Sequence, residues 1–428
     1  MATVLPRLRD DIDAVPSPVS DRPGLLLHDP LRYTEAAIVL PPLLVRCLAC
    51  FDGAHTDVEL RATMARLAGR DDLGDAADAL VRGLSEGGFL NDQTFRSLRA
   101  ERRRAFAASP LRLAAFAGGG YPSDKETLTQ TLASWTSRAA GHTAVPAVAP
   151  AGGAVSAIAA PHVSPSGGLA SYGAAYRALA PGPVDDVSGG KNGGVDGGDR
   201  TFVILGTSHY GRPNRFGVTR KAFQTPLGEA TTDVGLVDQL TAAAPDAIDV
   251  EDYCHAIEHS IEFQVLFLQN RFGPAVRILP ILCGPFGNGT AAGERPEDDD
   301  GVARVLDALA ALQAAHGRRL GWVLGVDMAH VGRRYGDDCD AHVHQGMMND
   351  VAARDRARLD RVVAGDARGF WELVHEHGPD DLKWCGSAPL YAFLRARPDV
   401  RGQILHYDQW NIDESSVVSF AALAFRGS

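Results

Sequence analysis

No apolar run in this chain reaches the roughly 20 residues that a membrane-spanning helix needs. The opening "MATVLPRLRDDIDAVP" lacks the apolar core of a secretory signal, so the expectation is a cytoplasmic protein with no membrane partner. Positive charge is in deficit, with 42 Lys and Arg against 53 Asp and Glu, a net charge of −11. That balance argues against nucleic acid as a partner. Cysteine is sparse. The six cysteines, at 47, 50, 254, 283, 339 and 385, are too scattered for the disulfide framework of a small secreted fold. Cys47 and Cys50 have the spacing of a redox pair, but they sit inside "PPLLVRCLACFDG" and read as packing cysteines of a buried helix.

What is present suffices for a large core. Hydrophobic residues make up 45% of 428, too long a chain for one ordinary domain. Residues 1–22 are polar and contain prolines, and read as a flexible N-terminal arm. Residues 23–105 form a compact pattern. "GLLLHDP" suggests a short strand and turn; Leu44, Cys47, Leu48 and Phe51 share one helical face; Thr56 with Glu59 makes a capping box. A third helix, "AADALVRGLSEGG", runs into a short strand at Phe89 and Leu90, an order that predicts a small winged-helix-like domain. "RSLRAERRR" (96–104) reads as an exposed linker helix. The Gly- and Pro-rich stretches 144–155, 181–199 and 284–301 read as a link and two mobile loops.

The remainder alternates short branched runs ("AVSAIAAP", "RTFVILGTS", "VRILPILCG", "LGWVLGVD") with helical patterns such as "GLASYGAAYRAL" and "IEHSIEFQVLFLQNRF". Such alternation predicts an α/β domain whose sheet is covered on both faces, with ligand sites beyond the carboxyl ends of strands. A histidine follows each of three strands: His162, His209 and His330, the last with Asp327 three residues before it. Imidazoles projected from strand ends can converge on a metal, and the Cys385 thiolate of "KWCGSAP" would bias such a site toward iron, copper or zinc over magnesium. Spacing alone leaves metal site and separate structural roles equally open, because no compact ligand motif is present.

The ordered motifs "APHVSPSGGLASYGAAYRAL", "VILGTSHY", "EHSIEFQVLFLQ", "ILPILCG", "GVDMAHVG", "WCGSAPLYAFL" and "DESSVVSFAALAF" resemble the Memo family, whose bacterial members are called AmmeMemoRadiSam system protein B. Residues 23–105 resemble PqqD-like domains. The resemblance implies a LigB/Memo-like α/β/α sandwich, similar to class III extradiol dioxygenases, over residues 113–428. It implies metal ligation by His162, His209 and Cys385, with Asp327, His330 and His259 as acid-base or supporting residues. The family's two serines before the aspartate are Gly325 and Val326 here, which questions the hydrogen bonding around the ligands. The expected cofactor is iron or copper, with zinc compatible, and the expected activity is that of a non-haem oxidoreductase on an unidentified small molecule or peptide. Two rivals accompany it. One is a metal- or redox-sensing protein working with radical-SAM and AMMECR1-like partners. The other is a metal-free hydrolase with Cys385 as nucleophile, His330 as base and Asp327 orienting it.

Overall fold

The computed structural model describes residues 2–17, 21–70, 72–142 (backbone alone over 136–142), 154–179, 200–287, 294–376 and 378–427. The stretches 144–155 and 181–199 therefore lie outside the described residues, except for 154–155, as do residues 288–293 of the third stretch. Within the described residues of the third stretch, Phe286 and Pro296 are buried, and Asp299 caps the helix Asp300–His316. The chain divides into two units, Met1–Ser109 and Pro110–Ser428.

In the first unit a three-stranded antiparallel sheet (Asp13–Pro16, Leu25–His28, Ala37–Leu40) precedes the helices Pro42–Cys47, Asp57–Ala68, Gly74–Glu86 and Gln93–Ala108. The capping box at Thr56 and Glu59 forms, and Cys47 and Cys50 are buried in the core with Leu27, Leu60 and Phe89. Two expectations need correction. Residues 2–17 of the expected flexible arm 1–22 are not loose: Leu5 is buried, Asp13–Pro16 pairs with Leu25–His28, and Arg9 is buried against Asp29. Buried pairing of Arg9 is what polar composition conceals, since a partnered guanidinium can enter a core. The segment at Phe89 and Leu90 makes only an isolated bridge from Leu90 to Leu8.

The second unit is an α/β sandwich around a twelve-stranded mixed sheet. At its centre four parallel strands lie in the order Ala157–Ala160, Leu320–Gly325, Thr201–Thr207, Arg277–Cys283. Alternate residues enter opposite cores: Val203, Leu205, Trp322 and Leu324 face one, and Phe202, Ile204, Val323 and Ile158 the other. Helices therefore cover both faces, and the strands read as continuous apolar runs. A long antiparallel hairpin, Val400–Asp413 and Ser416–Gly427, joins the sheet through pairing of Ser416–Gly427 with Ala157–Ala160, an element that strand-helix alternation did not signal. The helical pattern at 257–272 also breaks: Cys254–Ile257 is one short helix, Glu262–Phe272 another, and residues 258–261 turn between them.

Candidate metal centre

Parallel strands deliver their carboxyl ends to one edge of a sheet, and here three neighbours deliver chemistry there. The central strand Leu320–Gly325 ends just before Asp327; its flanking strands Ala157–Ala160 and Thr201–Thr207 end just before His162 and His209. The turn at 258–261 brings His259 to the same place. Ring centroids of His162, His209 and His259 lie 5.0–5.1 Å apart, with His209 and His259 stacked nearly parallel. One nitrogen from each lies within 4.8 Å of the others, so this cluster could hold a metal ion. Sequence reasoning placed His259 as an acid-base or supporting residue; the structure puts its ring beside the two proposed ligands. The signal was "EHSIEFQ" itself, where a break in the helix is needed to turn the histidine inward.

Two of the imidazoles, those of His162 and His209, have one nitrogen committed away from the cluster. His162 Nδ1 donates to the Gly325 carbonyl (2.9 Å), and His209 Nδ1 donates to Glu258 Oε2 (2.9 Å). A carbonyl or carboxylate can only accept, so Nδ1 keeps its proton, and Nε2 is the nitrogen that gives up its proton to a cation. The Glu258 carboxylate, almost wholly buried, also accepts from the His209 backbone amide. Carboxylate–imidazole pairs of this kind orient metal-binding histidines and raise their basicity. The replaced serines are thus not needed for His162, which uses a backbone carbonyl instead. Gly325 has a different reason to be small: a Cβ there would lie 2.1 Å from the Ser260 carbonyl, in the turn that carries His259.

Cys385 reaches the cluster from the loop before the helix Ser387–Ala396. Its Sγ lies 3.3 Å from His162 Nε2. Sulfur and nitrogen sharing one tetrahedral ion at 2.3 and 2.0–2.1 Å would stand about 3.5 Å apart, so the pair fits a common ion. The loop is drawn in by hydrogen bonds from Thr207 Oγ1 to the Cys385 carbonyl (3.0 Å) and from the Gly386 amide to the Asp327 carbonyl (3.0 Å). Gly386 permits this approach, since a Cβ would meet Val326 at 2.6 Å and the Asp327 carbonyl at 2.7 Å.

Asp327 is buried and accepts from the His162 backbone amide (2.9 Å), with its other oxygen 3.5 Å from His162 Nε2. Asp327 therefore addresses His162. The expected orientation of His330 by Asp327 is not made: His330 Nδ1 lies against the carbonyls of Met328 (2.8 Å) and Lys383 (3.0 Å), and its ring meets Tyr335 edge-on. Both backbone oxygens accept only, so His330 keeps Nε2 unprotonated when neutral. Glu258 and Glu262 are parted by the turn between the two helices. Glu262 is buried with Arg112, Tyr121 and the amides of Ala115 and Phe116.

Opposed charges set the protonation states. Burial works to lower the His162 pKa, but Asp327 and the Cys385 thiolate outweigh it and raise it to about 9. Burial likewise works to lower the His209 pKa, but Glu258 and Cys385 overcome it and raise it well above the usual value. For Cys385 burial favours the thiol, yet His162 and His330 carry it well below the usual thiol range. His259 is shifted the other way, by burial first and then by the charges of His209 and His162, and stays neutral. The outcome is a thiolate, two basic imidazoles and one neutral imidazole around a single point. The side chains of His162 and Asp327 are 2–3% exposed, while His209 and His259 are 27% and 30% exposed, so the cluster has a closed floor and an open side.

A family model described as Memo-like protein matches residues 112–424. Among curated proteins, a MEMO1 family protein of Methanosarcina barkeri is 27% identical over 229 residues, 52% of this chain and 75% of that protein. One of Thermococcus kodakarensis is 28% identical over 243 residues, 54% of this chain and 78% of the relative. One of Aquifex aeolicus is 23% identical over 404 residues, 94% of this chain and 95% of its own length, so that similarity runs through both units. An uncharacterized protein of Escherichia coli K12 aligns in structure at 12% identity over 63% of this chain and 99% of its own, with a TM-score of 0.34 that carries no argument.

Proposed function

Because the chain belongs to the Memo-like protein family, its second unit falling almost wholly within the matched residues, we propose that it is a metal-dependent oxidoreductase whose ligands are His162, His209 and Cys385. The observation that carries this reading is the 3.3 Å approach of Cys385 Sγ to Nε2 of His162, beside a second histidine braced by a buried carboxylate. Two imidazoles and a thiolate favour iron, copper or zinc over magnesium, and the resemblance to dioxygenases favours iron or copper among them. When bound, such an ion supplies electron transfer at a centre that keeps positions open for a substrate.

The chain's own residues do the rest. Gly325 and Glu258 fix the two imidazoles in one tautomer. Asp327 balances the charge of His162 from the floor. His259, neutral and partly exposed, is placed to take a proton from a substrate entering on the open side. His330, whose neutral form leaves Nε2 unprotonated, is a second acceptor. Similarity to extradiol dioxygenases supports a small-molecule substrate in this reading, but fold similarity does not fix a reaction. Radical-SAM and AMMECR1-like proteins stay as proposed partners, tested by co-purification from a producing cell. The hydrolase rival loses its orienting residue, since Asp327 pairs with His162 and not with His330.

Elemental analysis after anaerobic purification tests the proposal. About one iron or copper per chain, much reduced in Cys385→Ser, is the expected result. Metal content unaffected by Cys385→Ser, or a chain that never takes up metal, refutes it.

A further inference from the structure

The helix Met347–Val363 carries two buried charges three residues apart, Asp355 and Arg358. Asp355 is fully buried, and its carboxylate is saturated by donors. Oδ1 accepts from the Trp384 indole N–H (2.7 Å), and Oδ2 accepts from the hydroxyls of Ser419 (2.6 Å) and Tyr407 (2.7 Å). The directions are determined. The Ser419 hydroxyl already accepts from the Ala329 amide (2.9 Å), and the Tyr407 hydroxyl accepts from Gln409 Nε2 (3.3 Å). Each hydroxyl then has its proton to give to Asp355, whose two oxygens have room for all three donors; burial raises the Asp355 pKa, and the Ser419, Tyr407 and Trp384 donors oppose that rise.

Two of these donors lead to the centre. Trp384 immediately precedes Cys385. Ser419 grips the stretch between Asp327 and His330 at three points: its hydroxyl holds the Ala329 amide, its amide donates to the Ala329 carbonyl (2.9 Å), and its carbonyl accepts from the Met328 amide (2.8 Å). Arg358 reinforces the first arm. It donates to Asp380 (2.8 Å), whose carboxylate accepts from the amides of Leu382 (3.1 Å) and Trp384 (2.8 Å). We infer that Asp355 is a positioning residue for the centre: one buried carboxylate holds the Cys385 loop and the Asp327–His330 loop in register with each other. Its consequence for metal rests on the ligand reading above; its consequence for the Cys385 thiol does not.

A merely core-stabilising anion would lower the unfolding midpoint when replaced and leave Cys385 in the folded chain unaffected. The test compares Asp355→Asn, Trp384→Phe, Ser419→Ala and Tyr407→Phe, and the double variant of the first two, in the full chain. Alkylation rates at Cys385 are read by mass spectrometry in chelator-treated, folded protein, with buried Cys47 as the internal standard. Loss of one buried anchor is expected to change the rate about two- to tenfold, the equivalent of one hydrogen bond. Asp355→Asn and Trp384→Phe should act in the same sense, and their double variant should match the larger single effect, because both cut one connection. Tyr407→Phe removes an equally short bond that leads to neither loop, and should leave Cys385 unchanged.

Unchanged alkylation in Asp355→Asn, multiplying effects in the double variant, or an equal effect from Tyr407→Phe would each overturn the inference. Should Asp355→Asn not fold, Trp384→Phe against Tyr407→Phe decides it alone. Cobalt(II) added to the unsubstituted chain separates the two levels. A thiolate-to-cobalt absorption band, weakened in Asp355→Asn, extends the inference to the metal. Absence of that band from the unsubstituted chain refutes the ligand reading, and the alkylation comparison then decides the role of Asp355 by itself.

Discussion

Replacing Glu258 by glutamine removes a charge while keeping size and shape, which isolates what the carboxylate does for His209. In the structure that carboxylate accepts twice from one residue, from Nδ1–H and from the backbone amide, and is only 1% exposed. The carboxamide keeps one acceptor and turns an N–H2 toward the other donor. Losing the partner of a metal-binding histidine costs about 10- to 100-fold in affinity, or about 1.4–2.8 kcal/mol. The pH dependence carries a sign. Burial lowers the His209 pKa, but Glu258 more than reverses this, so in the native chain a proton competes strongly with the metal. Glu258→Gln relieves that competition, so its deficit should be greatest at alkaline pH and shrink as pH falls. Competition titrations against a chelator at several pH values, with circular dichroism to confirm folding, measure it. A folded variant with native affinity at pH 8, or a deficit that grows toward acid, refutes the assignment of Glu258.

Other expectations follow from the same geometry. Gly325→Ala drives a methyl into the Ser260 carbonyl and should destabilise the chain by about 1–3 kcal/mol, read from urea midpoints; an unchanged midpoint contradicts the close approach. His259→Ala should retain metal while slowing turnover, since the proposed ligands are His162, His209 and Cys385; loss of metal would make the three histidines the ligand set. In the chelated chain the raised His162 pKa gives stability present below 6.5 and lost as pH rises through about 9. The lowered Cys385 pKa gives stability present above its ordinary 9.0 and lost as pH falls. The two slopes cancel between about pH 6.5 and 9, so the stability difference between the native chain and a Cys385→Ser, His162→Gln double variant should be flat there and decline below it. A steady slope across that window refutes the thiolate–imidazolium pair.

Much of this arrangement was legible in the chain because it is local. A branched run followed by histidine marks a strand end, and the sheet places His162, His209 and Asp327 together through adjacency of three strands. The glycine after Cys385 was visible as a motif, though its reason, contact with Val326 and Asp327, needed the packing. What stayed hidden depends on partners far apart. Glu258 lies 49 residues from His209 and Asp355 lies 29 from Trp384, and nothing local in either position announces the bond. The packing of residues 2–17 was hidden for a related reason, since Arg9 reads as surface until Asp29 is placed against it. The inward turn of His259 was masked by a helical pattern that the chain breaks at 258–261.

X-ray absorption at the metal edge, on full-length protein and on Cys385→Ser, tests the account most directly. It predicts one sulfur at about 2.3 Å together with nitrogen ligands near 2.0–2.1 Å, and loss of the sulfur shell in the variant. A shell of nitrogen and oxygen alone in the unsubstituted protein, as His162, His209 and His259 by themselves would give, contradicts it.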